Sequence, residues 1–414
     1  MVNNKFKGIL ISMSAVLFLA NCGGEAKDTL TNQKVDRTDK SDRCSSKHKS
    51  KHKKKESKKE KLSKKEKLGK KLFFDTDLSA NENMSCATCH SPEFGFAEPD
   101  NDIPESEGSF AGLFGNRNAP TAAYASLVPY FHFDEEEELY KGGMFVDGSA
   151  TGAIDRPAVV DQAKGPFLNP VEMAMPSGAS VSKKVKHSSY ADLFKEVYGK
   201  DAFDDLDEAY DNVADAIGAF ESTKTFHPFN SKFDLYLEGK VKLTHKEKKG
   251  LKLFNGKALC SQCHTTDLKE DGTHPLLTDF TYDNLGVPKN HDNPFYNISK
   301  EFNPKGADFK DKGLGAFLKS TGEPRKVYKP QYGKFRVPTL RNIAVTGPYM
   351  HNGVFTSLKE VVDFYNTRDV GNWEDSEESR NVNKGELGNL GLCDSEVDAI
   401  VAFMETLTDN YKAK

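Results

Sequence analysis

Alternation of apolar and polar residues is almost absent from this chain, and nowhere does it run long enough for a half-buried strand. Long apolar runs are equally scarce. The only one, Gly8–Ala20, follows the lysine-bearing start of "MVNNKFKGILISMSAVLFLANC" and is too short and too lightly flanked for a permanent membrane span. It reads as a signal peptide over residues 1–22, ending in Leu19-Ala20-Asn21-Cys22, which resembles a lipobox apart from Asn21. The mature chain is therefore expected in the periplasm or cell envelope, lipid-anchored if the lipobox is used. Aromatic residues are missing from the lysine run 47–71, whose 14 lysines and 3 glutamates give +11. That absence, with export, argues against nucleic-acid binding and for a disordered tether over residues 23–67, a solvated spacer beside a membrane. The net charge is −4, which leaves −15 for the remainder, an acidic body suited to attracting a basic protein partner. Tryptophan occurs once, as Trp373 in the acidic loop "VGNWEDSEESRN", and is expected at the surface.

What is present in this soluble-type composition (37 % hydrophobic, 29 % charged) is a pair of short motifs. Cys86-Ala-Thr-Cys89-His90 and Cys260-Ser-Gln-Cys263-His264 each place two cysteines three apart with a histidine directly after. Such a pair can be half a zinc site, a redox dithiol, or the thioether anchors of a c-type haem. The following histidine favours haem, because it can ligate iron while the cysteines bond the vinyl groups. Cys44 and Cys393 remain without a role.

The surroundings of the motifs repeat. "LSKKEKLGKKLFFDTDLSANENMSCATCH" is echoed by "LTHKEKKGLKLFNGKALCSQCH", and "RNAPTAAYASLVPYFH" (117–132) by "RVPTLRNIAVTGPYMH" (336–351). The motif cysteines Cys86 and Cys260 lie 174 residues apart, so two related domains with one haem each are expected, over 68–240 and 241–414. Leu206, Tyr210, Val213, Ile217 and Phe220 share one face of a helix, as do Val397, Ile400, Val401, Met404 and Leu407 behind the capping candidates Asp394 and Ser395. The fold class is all-α, two cytochrome c-like domains joined by long ordered loops.

From about Leu68 to Thr408 the chain resembles the bacterial di-haem cytochrome c peroxidase/MauG family. The resemblance rests on the collinear segments "LGKKLFFDTDLS", "SCATCH", "GNRNAPT", "DQAKGPFLNPVEMA", "CSQCH", "VPTLRNIAVTGPYMHNG" and "SLKEVVDFY". It implies hydrogen peroxide as substrate at the N-terminal haem, a C-terminal haem that passes electrons or stores an oxidising equivalent, a calcium ion between the domains, and often a homodimer. Carried over by position, it implies His90 and His264 as proximal iron ligands, Glu172 as the distal acid–base group, and Gln162 as a second distal residue. It also implies Asn118, Thr346 and Pro348 as calcium ligands, the last two through carbonyl oxygens.

Three departures refine this. No histidine lies between His90 and His132, where ordinary peroxidases carry a loop ligand that blocks the first iron; Phe110 stands near that place, and His132 falls in the insertion "YFHFDEEEELYKGG". The first haem is thus expected to be reactive without prior reduction. Tyr365 stands where ordinary peroxidases ligate the second iron with methionine; the alternative leaves Tyr365 packed and puts Met350 or another methionine on the iron. A phenolate would stabilise higher iron oxidation states and favour storing oxidising power. Val146 replaces a tryptophan between the haems, leaving Phe145 as a candidate relay. The leading function is a di-haem peroxidase-like oxidoreductase drawing electrons from a small soluble cytochrome c or from a protein or organic substrate. The alternative is a non-catalytic di-haem electron-transfer cytochrome, with both irons six-coordinate.

Overall fold

Two helix crossings organise the chain, each made possible by one glycine. The computed structural model describes residues 61–99 and 103–412; the expected signal peptide, Cys44 and most of the tether lie outside these residues. In chain order the helices are α1 (Lys64–Phe73), α2 (Cys86–Cys89), α3 (Ala158–Leu168), α4 (Gly178–Lys186), α5 (Ala191–Tyr198) and α6 (Leu206–Glu221). Then come α7 (Lys232–Leu237), α8 (His245–Phe254), α9 (Gly313–Ser320), α10 (Arg325–Tyr328), α11 (Leu358–Thr367) and α12 (Asp394–Met404). Helix α1 packs on α6, and α8 on α12. At Gly69 a Cβ would overlap the carbonyl oxygen of Ala216 and crowd Phe220; at Gly250 it would overlap that of Ala399 and crowd Phe403. The same crossing is built twice, as the sequence echo predicts.

The start of each crossing helix is also duplicated. Ser63 and Glu66 form a capping box ahead of α1, and Thr244 and Glu247 form one ahead of α8. The first box corrects the expected tether boundary: Lys64–Lys67 are helical. Lys70 and Lys71 in the last turn of α1 also suit its negative end. Helix α12 begins earlier than expected: Asp394 and Ser395, the expected caps, are already helical, and the N-cap is Cys393.

The described residues form one compact unit containing two main hydrophobic cores. The first gathers residues from Leu68 to Phe226, the second from Phe233 to Leu407. Each fully buried Phe, such as Phe73 or Phe403, is worth about 1.5–3 kcal/mol in transfer terms. Across the junction, Arg341 (1 % exposed) bonds Asp234 at 2.6 Å and lies over the rings of Tyr124 and Phe229.

Strands occur where none was expected. β1 (His132–Asp134) and β2 (Leu139–Lys141) form an antiparallel hairpin, and β3 (Tyr282–Asp283) pairs with β4 (Phe335–Arg336). Strands this short leave no periodic signal in a sequence. No helix among the described residues is long and apolar enough to cross a membrane.

Glycine-dependent crossings make a direct prediction. Gly69→Ala and Gly250→Ala should each destabilise the holoprotein by about 2 kcal/mol or more in urea unfolding, whereas Gly115→Ala, whose Cβ would meet only the Arg117 carbonyl oxygen at 4.0 Å, should be near neutral.

Candidate functional site

Each motif histidine is aimed by the same clamp. His90 Nδ1 lies 3.3 Å from the Phe96 carbonyl oxygen, and His264 Nδ1 lies 2.7 Å from that of Leu277. A carbonyl only accepts, so Nδ1 carries the proton and Nε2 keeps its lone pair for a metal. Phe96 and Leu277 both adopt the left-handed conformation (φ 61° and 56°). The residue before each is held by a threonine from an echoed Pro-Thr pair. Thr121 Oγ1 donates to the Gly95 carbonyl at 2.5 Å, and Thr339 Oγ1 to that of Leu276 at 2.7 Å. Burial lowers the pKa of both imidazoles, keeping them neutral as ligation requires. Sequence reasoning saw the Pro-Thr echo without seeing this role.

The thiols discriminate among the three chemistries. Burial pushes the thiols of Cys89, Cys260 and Cys263 up to about 12, and that of Cys86 higher still. Zinc binding and dithiol redox both need thiolate, which these pockets disfavour. Among the described residues no cluster of three or more His, Cys, Asp or Glu side chains could hold a metal ion, so each pair also lacks further zinc partners. An uncharged thioether fits both sites.

A mainly apolar cleft opens beside the second motif, lined among others by Cys260, Cys263, His264, Met350, Tyr365 and Met404. Tyr365 is on α11; burial and the nearby Cys260 and Cys263 raise its pKa. Its hydroxyl has no hydrogen-bond partner among the described residues. Arg336, in the same wall, is a residue the sequence reading missed. Its Nε is buried without a partner, and burial lowers its pKa. A buried guanidinium calls for an anion, and haem propionates would supply one. The signal was available, since Arg336 echoes Arg117.

Above the first motif, α3 carries Gln162, and the turn after it folds back so that Met173 N bonds the Pro166 carbonyl at 3.2 Å. That turn presents Glu172, whose Oε1 accepts from Asn169 Nδ2 at 2.7 Å. Burial raises the Glu172 carboxyl to about 7 against that hydrogen bond, and Glu172 is close enough to raise the Cys89 thiol. Gln162 makes no side-chain hydrogen bond among the described residues, and no distance places it on Glu172. The loop holding Phe110 packs directly over Glu172, with Ser109 N donating to the Glu172 carbonyl at 2.7 Å, while the Phe110 ring is 45 % exposed. His132 sits on β1 with Nδ1 2.9 Å from the Tyr130 carbonyl.

Between the two motifs, Arg117 donates to Asp311 at 2.6 Å and to Asp147 at 2.8 Å. Burial alone would lower its pKa; the two carboxylates outweigh that and raise it, and against the burial of Asp311 the Arg117 guanidinium in turn holds that carboxyl down at about 2. Next to it, Asn118 Nδ2 is 2.6 Å from the Pro348 carbonyl while Asn118 Oδ1 is buried without a partner. The two amide ends are interchangeable by a flip, which would turn Oδ1 toward that carbonyl. An orphaned amide oxygen beside a peptide carbonyl, with Thr346 in the same wall, suits a hard cation. Val146 lines the second cleft, while the ring of its neighbour Phe145 packs on α3 at Gly165. Trp373 is not a surface residue: it is half-buried, with its ring against Phe355 and Phe364 and Nε1 bonded to Thr367 at 3.0 Å.

Two clamped histidines, each directly after a pair of half-buried cysteines, fit two c-type haems. Residues 63–242 match the profile of the di-haem cytochrome c peroxidase family. The methylamine utilization protein MauG of Paracoccus denitrificans is 40 % identical over 355 residues, covering 82 % of this chain and 87 % of that protein. The cytochrome c551 peroxidase of Pseudomonas aeruginosa is 31 % identical over 338 residues, covering 81 % and 76 %. The crystal structure of the diheme peroxidase BthA from Burkholderia thailandensis superposes with a TM-score of 0.73 at 30 % identity, covering 84 % of this chain and 86 % of that one. The chain belongs to the di-haem cytochrome c peroxidase/MauG family and is an enzyme of the peroxidase type.

Pyridine haemochrome assay should give two covalent haems per wild-type chain and one for the Cys86→Ser/Cys89→Ser double variant. Zinc released from the wild type in place of haem would contradict the thioether assignment.

Proposed function

We propose that this chain reduces hydrogen peroxide at its N-terminal site, with Glu172 moving the proton, and that the site holding His264 and Tyr365 relays the electrons. The observation that carries this reading is the buried Glu172 carboxyl, raised to about 7 and oriented by Asn169, close to Cys89 of the first motif. Bound haem iron supplies the redox chemistry: peroxide with two electrons and two protons gives two waters. The residues do the rest. His90, fixed by Phe96 and Thr121, offers Nε2 from the proximal side. Glu172, oriented by Asn169, would take a proton from one peroxide oxygen and return it to the other. Gln162 is assigned a second distal position on the resemblance.

Tyr365 is proposed over Met350 as the second iron's ligand, supported by its unpartnered hydroxyl beside Cys260 and Cys263. An anionic oxygen ligand lowers the potential relative to thioether, which favours oxidation of a protein or organic substrate, while the acidic body also suits a small basic cytochrome. Asn118, Thr346 and Pro348 would hold a calcium ion that joins the two halves. The chain is assigned to the periplasm on its N-terminal segment, which lies outside the described residues; lipid anchoring and dimerisation belong to the same proposal.

A group that must be ionised to accept a proton gives a rising pH limb. The peroxide reaction rate should climb through pH about 7, and Glu172→Gln should flatten that limb and lower the rate by roughly 10²–10⁴. An unchanged profile would remove Glu172 from the chemistry. The raised pKa also means that the stability contributed by protonated Glu172 is full below its ordinary 4.5 and is lost as pH rises through about 7.

Calcium should be visible in stability. Saturation at about a hundredfold over Kd adds about 2.7 kcal/mol. Chelation should therefore lower the Tm of the holoprotein by several degrees, calcium should restore it, and Asn118→Ala should abolish the response.

A further inference from the structure

The β1–β2 hairpin lies outside everything assigned so far. It is the insertion of acidic and aromatic residues noted in the sequence, and it places both kinds of side chain at one surface. Glu135, Glu136, Glu137 and Glu138 are all exposed in its turn. Lys141 pairs with Asp134 at 3.0 Å and with Glu137 at 2.8 Å, leaving Glu135, Glu136 and Glu138 in no ion pair among the described residues. Beside them Phe133 is 40 % and Tyr130 39 % exposed.

From that surface an aromatic column runs inward. Phe133 meets Tyr140 edge-on at 5.0 Å, Tyr140 stacks on Phe131 at 5.3 Å and 7°, and Phe131 meets Tyr282 edge-on at 6.1 Å. Tyr282 is buried on β3, with its hydroxyl bonded to the Gly142 carbonyl at 2.5 Å, which ties the hairpin down. Its sequence neighbour Asp283 and its cross-strand partner Arg336 both line the cleft beside His264. The hairpin therefore rests against the wall of the second site.

We propose that the β1–β2 hairpin is the docking surface and electron port of the second site, occupied by a small basic redox protein of the cytochrome type. The inference rests on the peroxidase reading above for the use of the electrons, but not for the docking itself. Charge complementarity picks the partner: three unpaired glutamates steer a lysine-rich face, and Phe133 and Tyr130 give it an apolar centre to bury. In each encounter one electron leaves the partner's reduced iron and arrives at the second haem, with no bond made or broken. Two encounters supply the two electrons that one peroxide consumes.

The test compares the holoprotein with its Glu135→Lys/Glu136→Lys/Glu138→Lys variant, using a lysine-rich mitochondrial-type cytochrome c as the probe. Calorimetric Kd at low salt should rise by about tenfold or more in the variant, and the salt dependence should flatten. The corresponding triple Glu→Gln variant should fall between. Peroxide turnover with a small uncharged reductant should be unchanged, while turnover with the reduced cytochrome should show a raised KM. An unchanged Kd, or a wild type that does not bind the probe, would overturn the proposal. Equal loss of turnover with both reductants would overturn it too, by making the hairpin part of the haem pocket. If the wild type binds the cytochrome in a salt-dependent way yet turns over peroxide with neither reductant, the docking surface stands and the peroxidase reading fails.

Discussion

The clamp on each proximal histidine is the constraint from which the rest follows. A haem protein must hold an imidazole neutral, in one tautomer and at one angle, and here a backbone carbonyl does so at both sites. The carbonyls of Phe96 and Leu277 can point at Nδ1 only because those residues take a left-handed turn. Non-glycine residues there are strained, and the neighbouring threonine hydrogen bonds from Thr121 and Thr339 keep them in place. The helices before each motif set the cysteines, the Pro-Thr segments set the histidines, and the glycine crossings let the two approach. A duplicated chain has kept all three parts twice.

The two copies then diverge around one junction. Arg117 and Arg336 occupy echoed positions. Arg117 is spent on Asp147 and Asp311, pinning the segment that runs through Asn118 to Thr121. Arg336 keeps a buried, unpartnered Nε in the wall of the second cleft. One copy of the arginine fastens the halves together and the other lines the second cleft. Because Asn118 and Thr121 lie in the pinned segment, the candidate cation site and the His90 clamp share a single support.

The parts legible in sequence were those encoded locally. CxxCH spacing gave the four cysteines and two histidines, and the 3.6-residue period gave α6 and α12. The echo of the capping and Pro-Thr segments gave the duplication. What escaped depends on pairing between distant segments. Thr121 acts on Gly95, Thr339 on Leu276, and Arg117 on Asp311; none of these contacts leaves a mark in spacing. The hairpin escaped because three-residue strands hide any alternation, and its acidic turn reads as a loop. Trp373 was misplaced because its acidic neighbours suggested exposure, whereas Phe355 and Phe364 supply an apolar seat from elsewhere in the fold. Gln162 and Tyr365 came from family resemblance alone. The structure places Tyr365 in the second cleft and Gln162 on α3, without showing what Gln162 touches.

We propose a first site that is open and proton-ready beside a second that can store what it yields. Stopped-flow absorbance of the fully oxidised, calcium-loaded protein mixed with one equivalent of hydrogen peroxide tests it most directly. A rapid change in the haem absorbance with no prior reduction is expected, since the loop carrying Phe110 contains no histidine. Absence of any reaction until one haem has been reduced would contradict it, and would mean that a ligand blocks the site over His90.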